Sequence, residues 1–567
     1  MTHTPEQIRT YRDKGWWRPQ TLDHLVLRDA PGDPAADAVA GPHGRLTRGQ
    51  LAAAVAACAG RLTAEGIAPG RPVLVQLPND IEFVVLVLAL ITLGAPPVLA
   101  LPALRRHELA HILAAVEPAA IAVPARQRRF DHAGLARELQ AEHPSVRRIL
   151  LYGEEPVPAE ARGALSVEQL CAPGGGFTDA PADTDARADT DPHPYADPRP
   201  YDETALYLLS SGTTGPPKAI ARTHEAYGYV IRTSAAVSGL TGESVYLAVM
   251  PATHSFAFGH PGILGALANG GRVVLSSPDN ADAALALVER ERVTHCALAP
   301  AVALGWLAAA ESGRYDLSSL DVLQIGGARL DPDTARRLAR GLGCRVQQVY
   351  GMSEGLLNFT RLDDPEDVAW TTQGRPSADG DELLVVDGDG RPVPEGGTGE
   401  LLTRGPSVIT AYHGGAGADS FTPDGYYRTG DLVQWHPSGN LLVAGRIKDV
   451  INRGGEKIAA DELESVAAGH PAVRACAAVS MPHAVLGEAV CMYVVPPDGT
   501  PPPGLLELRR FLESAGLARF KLPERLVTVD ALPLKGVGKV DKTELRADIR
   551  SLLAAEAEAA AGGVRTP

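Results

Sequence analysis

The chain contains few cysteines and few aromatic side chains. Of its 567 residues, 6 are cysteines and 5% are Phe, Trp or Tyr. No two cysteines form a C-x-x-C pair, and none lies near a histidine at the spacing of zinc ligands. The cysteines therefore predict buried, reduced thiols in a cytoplasmic protein rather than a disulfide scaffold or a zinc site.

Positive charge is also scarce, and no apolar run is long enough for a membrane span. Lys and Arg number 53 against 68 Asp and Glu, a net charge of −15, which argues against a nucleic-acid partner. The N-terminal segment MTHTPEQIRTYRDKGWW lacks the apolar core of a signal peptide. The uncharged run from Phe83 to Leu101 is broken by Gly94 and by Pro96-Pro97. It predicts a buried helix followed by a buried strand, with no membrane partner.

Short β-rich runs alternate with helical segments along most of the chain. This alternation and the chain length predict an α/β protein of more than one domain, with parallel strands between layers of helices. We predict a large, multi-layer N-terminal domain with parallel-rich sheets over residues 1–445 and a small, mobile α+β C-terminal domain over 446–550. Residues 172–201, rich in Pro, Gly and Asp, predict a flexible excursion, and 551–567 a disordered tail.

Two local signals predict particular elements. Residues 44–66 have apolar side chains at helical spacing, and Thr47 can serve as the N-cap, so we expect a helix there. The turn residues 437–440, Pro-Ser-Gly-Asn, lie between two apolar runs and predict a hairpin.

The segment LYLLSSGTTGPPKAIARTH, residues 206–224, joins a strand-like run to a loop of small and hydroxyl-bearing residues. Backbone N–H groups and hydroxyls of such a loop can bind phosphate oxygens, and Lys218 adds a positive charge. The loop is not a Walker loop, because Ala219 follows the lysine where a Ser or Thr would contact magnesium. This argues against a kinase or another P-loop NTPase. On spacing alone, a phosphate site and a purely structural turn remain equally open.

Further fragments downstream supply what a nucleotide site needs. Tyr350 and Glu354 occur in VYGMSEG, where an aromatic ring can stack on a base and a carboxylate can bind Mg²⁺. Asp431 follows in YRTGD, at a turn where a carboxylate can accept both ribose hydroxyls. Two further fragments follow in the chain, GRIKDVINRGGEKI and then LKGVGKVDK, which contains Lys539. Each fragment alone is weak evidence, but their order together indicates an ATP site.

This order resembles the adenylate-forming superfamily of acyl- and aryl-CoA ligases, nonribosomal-peptide adenylation domains and luciferases. The resemblance runs from about Thr21 to Leu545. Three segments make it closest to stand-alone aryl-acid AMP ligases of the dihydroxybenzoate and salicylate type: QVYGMSEGLLNFTRLDDP, RTHEAYGYVIRTSA and INRGGEKIAADELE. It implies ATP- and Mg²⁺-dependent activation of an aromatic (aryl or heteroaryl) carboxylic acid to its acyl-adenylate, with release of pyrophosphate. The acyl group would then pass to the phosphopantetheine thiol of an acyl or aryl carrier protein in secondary-metabolite biosynthesis.

The resemblance assigns roles to residues of these motifs. Catalysis would use Lys539, Glu354 and His254. Glu354 would bind the Mg²⁺, and Lys539 would reach the carboxylate and the α-phosphate. The residues that would bind ATP or AMP are Ser210, Ser211, Gly212, Thr213, Thr214, Gly215, Lys218, Gly327, Tyr350, Gly351, Ser353, Asp431 and Arg446. A degenerate, non-catalytic module would be expected to lack Glu354, Asp431 or Lys539, and all three are present.

Transfer to a thiol would involve the C-terminal domain. The resemblance implies rotation of this domain about a hinge at Lys448. Gly454 and Gly455 would border the tunnel for the phosphopantetheine arm, where a side chain would block a close backbone approach. An aryl-CoA ligase shares the same core, so the sequence leaves both free CoA and a carrier protein open as acceptors.

The acid-binding segment departs from the dihydroxybenzoate and salicylate pattern. Ser255 replaces the usual asparagine, Phe256 the usual tyrosine, and His260 a small serine or cysteine. A histidine can donate to, or accept from, a ring substituent or ring nitrogen. Unless His260 is only a packing residue, these changes favour an amino- or hydroxy-substituted benzoate or a hydroxylated heteroaryl acid over 2,3-dihydroxybenzoate. The implied substrate-binding residues are His254, Ser255, Phe256, His260, Gly326 and Gly327.

Overall fold

The computed structural model describes ten stretches of the chain, residues 3–153, 164–172, 200–210, 217–277, 280–453, 456–483, 486–515, 517, 519–535 and 538–562. The chain divides into two units, Met1–Glu382 with Thr403–Tyr427, and Leu383–Leu402 with Arg428–Pro567. The expected boundary near Gly445 falls within the second unit. The predicted division into residues 1–445 and 446–550 stays a prediction.

The first unit consists of strands joined by helices. Its strands are β1 (Asp37–Gly41), β2 (Gly44–Thr47), β3 (Val73–Val75), β4 (Pro97–Leu99), β5 (Ala120–Pro124), β6 (Arg126–Gln127), β7 (Phe130–Asp131), β8 (Arg148–Tyr152), β9 (Leu165–Ser166), β10 (Thr204–Leu209), β11 (Ala219–Thr223), β12 (Val245–Ala248), β13 (Arg272–Leu275), β14 (His295–Leu298), β15 (Val322–Gly326), β16 (Arg345–Gly351), β17 (Leu357–Phe359) and β18 (Arg375–Pro376). Its helices are α1 (Pro5–Asp13), α2 (Arg48–Ala64), α3 (Ile81–Leu93), α4 (Arg106–Val116), α5 (His132–Glu142), α6 (Val167–Cys171), α7 (His224–Val237), α8 (Ser255–Gly259), α9 (Gly262–Ala268), α10 (Ala281–Glu291), α11 (Pro300–Ala310), α12 (Pro332–Leu342) and α13 (Glu366–Thr371).

Two large sheets organise this unit. In one, the strand order is β18-β17-β16-β15-β14-β12-β13-β1-β2, and the strands from β16 to β1 are parallel. In the other, the order is β11-β10-β4-β3-β5-β8-β9, parallel from β10 to β9. Strands β14 and β15 are buried along their whole length, as expected for parallel strands covered on both faces.

Helices cover and separate the sheets. Apolar side chains of α10, α11 and α12 pack with those of β14 and β15 in one core. Those of α4 and α5 pack with β5 and β8 in another. Helix α3 contacts β1 in one sheet and β4 in the other, and its residues from Phe83 to Leu93 are buried. The layered α/β class predicted from the alternation of strands and helices is therefore confirmed.

The second unit contains a hairpin sheet and a small α+β module. Its elements are β19 (Glu382–Val386), β20 (Gly399–Arg404), β21 (Tyr427–Trp435), β22 (Leu441–Arg446), β23 (Val450–Arg453), β24 (Glu456–Ala459), α14 (Ala460–Ala467), β25 (Ala475–His483), β26 (Gly487–Val495), α15 (Leu505–Ser514), β27 (Arg525–Thr528), β28 (Leu534–Lys535), β29 (Lys539–Val540) and α16 (Lys542–Gly562). Strands β21 and β22 are antiparallel and flank the predicted turn at residues 437–440.

Strand β26 shows how the small module is held together. Val490, Met492 and Val494 pack into a core with α14 and α15. The alternate residues Cys491 and Tyr493 pack with α16 on the opposite face. The period of two is that of a β-strand, so each face of this sheet carries its own helical layer.

Several local expectations can be compared with the structure. Helix α2 begins at Arg48 with Thr47 as its N-cap, but residues 44–47 form β2, because they pair antiparallel with β1. Helix α3 and strand β4 are the buried helix and strand expected between Phe83 and Leu101. Within the tail expected to be disordered, residues 551–562 instead continue α16 to Gly562, consistent with their Ala- and Glu-rich sequence, and 563–567 lie outside the described residues. The predicted excursion, apart from its ends, lies outside the described residues.

The six cysteines are free thiols, and five of them are buried. None of the helices in the described ranges is long and apolar enough to cross a membrane.

Candidate active site

The predicted phosphate loop joins two strands of a hairpin. It leaves β10 at Ser210 and returns to β11 after Lys218. The backbone N–H of Ser210 donates to the carbonyl of Lys218 (3.0 Å), and the N–H of Lys218 donates to the Ser210 hydroxyl (2.9 Å). These two hydrogen bonds hold the ends of the loop, Ser210 and Lys218, next to each other. A Walker loop leads into a helix, whereas this loop leads into a strand, which accounts for its different sequence. The predicted phosphate ligands Ser211, Gly212, Thr213, Thr214 and Gly215 lie outside the described residues.

Glu354, the predicted Mg²⁺ ligand, is held through its side chain by Tyr412. The Tyr412 hydroxyl donates to Oε1 of Glu354 over 2.6 Å and lies 3.1 Å from the Tyr427 hydroxyl. Glu354 is 7% exposed. Burial, followed by the neighbouring Glu354 charge, raises the pKa of Tyr412. Nζ of Lys218 lies 4.5 Å from the centre of the same tyrosine ring. Tyr412 therefore contacts the lysine of the phosphate loop and the predicted metal ligand.

The backbone at Glu354 is held by Arg222. The Arg222 guanidinium is 1% exposed and donates to the carbonyl of Glu354 (3.2 Å) and to that of Ser407 (2.7 Å). Burial lowers the pKa of Arg222 to about 10. Next along the chain, Gly355 has φ of 140°, and a Cβ there would lie 1.9 Å from the Ser407 carbonyl oxygen. Only glycine permits this close approach, so the backbone at Gly355 packs directly against the backbone at Ser407.

Asp381 completes this buried cluster. It accepts hydrogen bonds from the Ser407 hydroxyl (2.6 Å) and backbone N–H (3.2 Å). Burial raises the pKa of Asp381 to about 6, although these hydrogen bonds and the Arg222 charge act in the opposite direction. One buried polar network thus contains Arg222, Asp381 and Ser407, and it contacts Glu354 through the Glu354 carbonyl.

The predicted acid-binding segment begins at helix α8. His254 caps this helix, since its Nδ1 accepts the backbone N–H of Phe256 (3.2 Å). The hydroxyls of Ser255 and Ser353 lie 3.2 Å apart. A Cβ on Gly326 would approach the Phe256 ring to 2.9 Å, so Phe256 packs over a strand end that has no side chain. The structure therefore brings the predicted acid-binding and nucleotide-binding segments into contact.

His260 lies in a buried polar environment. Its imidazole is 3% exposed, and its centroid is 5.7 Å from that of the Tyr227 ring. Burial, followed by the charges of Arg222 and His254, lowers the pKa of His260 well below its ordinary value, so the ring is neutral near pH 7. The buried Tyr227 hydroxyl has no hydrogen-bond partner among the residues that the structure describes. The unpaired Tyr227 hydroxyl and the neutral His260 imidazole thus belong to neighbouring buried side chains.

Other predicted residues lie where two neighbouring parallel strands end. Gly326 ends β15, and Gly327 follows it with φ of 84°. Tyr350 and Gly351 end β16, which pairs in parallel with β15. Ligands of open α/β sheets bind at the carboxyl ends of the strands, and these residues occupy such an edge.

In the second unit, Asp431 and Arg446 face each other on β21 and β22. Their side chains form an ion pair with 2.8 Å between Oδ1 and Nε. Lys448 lies in the short turn that follows. Partial burial and the Arg446 charge lower the pKa of Lys448 to about 8. Lys539 begins β29 and pairs with Lys535 of β28. The predicted tunnel residues Gly454 and Gly455 lie outside the described part of the chain.

Comparison with known proteins identifies the family. Residues 26–413 match the family described as AMP-binding enzyme, and residues 462–539 match its C-terminal domain. The chain belongs to the AMP-binding enzyme family. The family and enzyme class expected from the motif order are thereby confirmed.

Its relatives in this family include aryl-acid ligases. A salicylyl-CoA synthase / salicylate adenylyltransferase from a Streptomyces species is 46% identical over 548 residues, covering 96% of each chain. A salicyl-AMP ligase / salicyl-S-ArCP synthetase from Mycobacterium tuberculosis is 42% identical over 556 residues, covering 96% of this chain and 93% of the relative. The apo structure of MbtA from Mycobacterium smegmatis matches with 39% identity and a TM-score of 0.70, covering 96% of this chain and 98% of MbtA. The predicted aryl-acid subgroup is confirmed.

The side chains present fit a magnesium ion that is bound largely by its substrate. Within the described ranges, no three His, Cys, Asp or Glu side chains cluster as metal ligands. Mg²⁺ in such enzymes is typically held by one or two carboxylates together with substrate phosphates, and Glu354 supplies one carboxylate.

Sequence reasoning missed four residues of the candidate site in this AMP-binding enzyme. Arg222 and Tyr227 lie inside RTHEAYGYVIRTSA, a segment that supports the resemblance, but no role was predicted for either. Tyr412 and Asp381 lie in segments without a motif. Their contacts join positions far apart in the chain, so no local pattern could have identified them.

Proposed function

We propose that this enzyme uses MgATP to convert an aromatic carboxylic acid to its acyl-adenylate, releases pyrophosphate, and transfers the acyl group to the phosphopantetheine thiol of a carrier protein. The observation that carries the proposal is the 3.2 Å contact between the hydroxyls of Ser255 and Ser353. It supports the proposal because one serine belongs to the segment proposed for the acid and the other to the segment proposed for the nucleotide, and attack of a carboxylate on the α-phosphorus requires the two to be close.

Adenylation joins two anions, so positioning and cationic stabilisation provide most of the catalysis. Ser210 and Lys218, with the loop between them, would bind the β- and γ-phosphates, which leave as pyrophosphate. Tyr350 would stack on adenine, and Ser353 would contact the α-phosphate. Mg²⁺ held at Glu354 would neutralise charge on the phosphates.

Residues of the second unit complete the proposed assignment. Asp431, oriented by Arg446, would accept the ribose hydroxyls. Lys539 would donate to the carboxylate and the α-phosphate as charge develops in the transition state. For thiol transfer, we assign the hinge to Lys448 and the tunnel border to Gly454 and Gly455.

The acceptor is proposed to be a carrier protein, with free CoA as the alternative. The M. tuberculosis relative is named as a salicyl-S-ArCP synthetase, and the Streptomyces relative as a salicylyl-CoA synthase. Both acceptors present a phosphopantetheine thiol, so the same adenylate serves either reaction. Parallel thioester assays with CoA and with a phosphopantetheinylated aryl carrier protein would separate the two.

For the acid, we propose an amino- or hydroxy-substituted benzoate, or a hydroxylated heteroaryl acid. Neutral His260 can donate from one ring nitrogen and accept at the other. The neighbouring Tyr227 hydroxyl has no protein partner in the described structure and gains one if a polar ring group approaches. An acid without such a group would leave the buried Tyr227 hydroxyl unsatisfied.

The deciding experiment is ATP–pyrophosphate exchange over a panel of benzoates, picolinates and quinaldates, with and without Mg²⁺. We expect exchange that depends on both Mg²⁺ and an aryl acid. Unsubstituted benzoate should be slower than its hydroxy or amino derivatives. Exchange without any aryl acid would reject the proposed reaction, and a clear preference for 2,3-dihydroxybenzoate would reject the proposed acid class.

A further inference from the structure

Tyr412 contacts two oppositely charged groups that the proposed reaction uses. Its hydroxyl donates to Oε1 of Glu354, and its ring faces the Lys218 ammonium, 4.5 Å from the ring centre. Tyr412 is buried, so water screens neither contact well. None of the sequence motifs includes this tyrosine.

The direction of the hydrogen bonds follows from the acceptors. A carboxylate accepts only, so the Tyr412 proton points to Glu354. Tyr427, 3.1 Å away, then donates to the Tyr412 oxygen. Successive hydrogen bonds polarise one another, which strengthens the bond to Glu354.

This bond fixes one carboxylate oxygen and leaves the other for a metal. Tyr412 engages Oε1 of Glu354 and not Oε2. With Oε1 held at 2.6 Å and the Glu354 backbone held by Arg222, the carboxylate has one orientation rather than several. Preorganisation of this kind reduces the entropy lost on binding.

The ring holds the lysine on the other side. Nζ of Lys218 occupies space beside Gly417, where a Cβ would lie 2.4 Å from it. A cation over a tyrosine face is attracted by the electron-rich ring. Lys218 and Glu354 do not form an ion pair with each other, and each instead contacts the same tyrosine. A direct pair would neutralise the charges intended for phosphate and metal.

We propose that Tyr412 is a positioning residue for the metal–nucleotide complex. Its hydroxyl orients Glu354 toward the metal, and its ring keeps the Lys218 ammonium available to phosphate and separate from the carboxylate. This inference rests on the proposed use of MgATP and assigns a role to a residue outside the motifs.

Tyr412→Phe tests the hydroxyl alone, because phenylalanine keeps the ring that faces Lys218. Calorimetry would measure binding of ATP with and without Mg²⁺ to the full chain. We expect about tenfold weaker binding of MgATP, the effect of losing one hydrogen bond to a charged group, and unchanged binding of metal-free ATP. In pyrophosphate exchange, KM for MgATP should rise, while KM for the acid should not change.

A matched control is Tyr426→Phe, which removes the hydrogen bond from an exposed tyrosine hydroxyl to Glu382 and should leave MgATP binding unchanged. Tyr427→Phe removes the donor to the Tyr412 oxygen and should weaken MgATP binding less than Tyr412→Phe does. It provides a second test if Tyr412→Phe folds poorly.

The outcomes separate this inference from the proposed function. If the parent protein binds ATP without any dependence on Mg²⁺, the proposed function fails. If the parent shows that dependence and both Tyr412→Phe and Tyr427→Phe match it, the positioning role is wrong. Equal loss of MgATP and metal-free ATP binding, with a lower melting temperature, would assign Tyr412 a purely structural role and also overturn the inference.

Discussion

The guanidinium of Arg222 donates a hydrogen bond to the backbone carbonyl of Glu354, 132 positions away in sequence, from a site that is 1% exposed. A second bond reaches the carbonyl of Ser407. One buried cation therefore fixes two loops against each other. Its desolvation is offset by two carbonyls and by the nearby Asp381 carboxylate.

Arg222→Leu should destabilise the first unit by about 3 kcal/mol, because it removes two buried hydrogen bonds, leaves the Ser407 carbonyl without this donor, and removes the cation near the buried Asp381 carboxylate. Arg222→Lys keeps the charge and can replace one of the two bonds, so its loss should be smaller. Urea unfolding, monitored by tryptophan fluorescence, measures the free energy of unfolding of this unit. Four of the five tryptophans lie in it. The control Arg314→Lys alters an exposed ion pair and should change stability by less than about 0.5 kcal/mol. Equal effects at the two positions would contradict the role of Arg222.

Asp381→Asn should change how stability depends on pH. Burial raises the pKa of Asp381 to about 6 in the folded chain, above its value in the unfolded chain. The folded chain therefore holds this proton more tightly, and the contribution of Asp381 to stability falls as pH rises from about 4 through about 6. Asparagine does not titrate, so it makes no such pH-dependent contribution to stability. The free energy of unfolding of the variant, relative to the parent, should rise by about 2 kcal/mol between pH 4 and pH 7.5. A difference that stays constant over this range would place the pKa elsewhere.

His260→Ser should change the choice of acid. Serine is shorter and cannot reach the position of the imidazole nitrogens, so a ring group that bonds to His260 loses that partner. We expect kcat/KM in the exchange assay to fall about tenfold or more for the preferred acid and by less for unsubstituted benzoate. A matched control is His295→Gln, at a buried histidine that bonds to Thr294 and Ser238, which should leave the order of acids unchanged. Equal losses for every acid would assign His260 to packing.

Lys539→Ala separates the two half-reactions. Loss of a cation that acts on the adenylation transition state should raise that barrier by about 2–4 kcal/mol or more. Thioester formation from a supplied acyl-adenylate should remain, because the lysine is not assigned to that step. Pyrophosphate exchange measures the first reaction, and thioester formation from synthetic adenylate measures the second. Survival of both activities would reject the role assigned to Lys539.

The Lys448 amine should titrate near pH 8. Partial burial, together with the charges of Arg446 and Lys535, lowers the pKa of Lys448 to about 8. After reductive methylation with a ¹³C label, its NMR signal should move with a midpoint about two units below the usual lysine value of roughly 10.4. Lys448→Arg identifies the signal by its disappearance. A midpoint near 10 would mean that the amine is solvated like an ordinary surface lysine.

Much of the fold was predictable because it follows from local periodicity. The apolar runs that became β5, β8 and β12 to β16 are short, β-rich and bounded by turn residues. Thr47 was identified as a cap from its residue type and position. The strand at residues 44–47 was not, because it exists through pairing with β1, which lies elsewhere in the sequence.

The residues of the candidate site likewise fall into two groups, those that local sequence could nominate and those that it could not. Glu354, Asp431 and Lys218 stand in motifs whose residue types and order carry the chemistry, so sequence alone could nominate them. Arg222 and Tyr412 act through contacts with Glu354 that span 132 and 58 positions. Such contacts depend on how distant segments pack, and one sequence contains no local record of them.

Helix α3 is also exposed during synthesis of the chain, before its packing partners are complete. Its apolar side chains contact strands of both large sheets, yet Phe258, whose ring packs edge-to-face against that of Phe83, is synthesised 175 residues after it. At ordinary translation speeds, Phe258 follows roughly ten seconds or more after the helix leaves the ribosome. Throughout that interval the sequence FVVLVLALITL has no complete apolar partner. Nascent chains of this enzyme should therefore bind holding chaperones, and substituting charges into α3 should reduce that binding while preventing native folding.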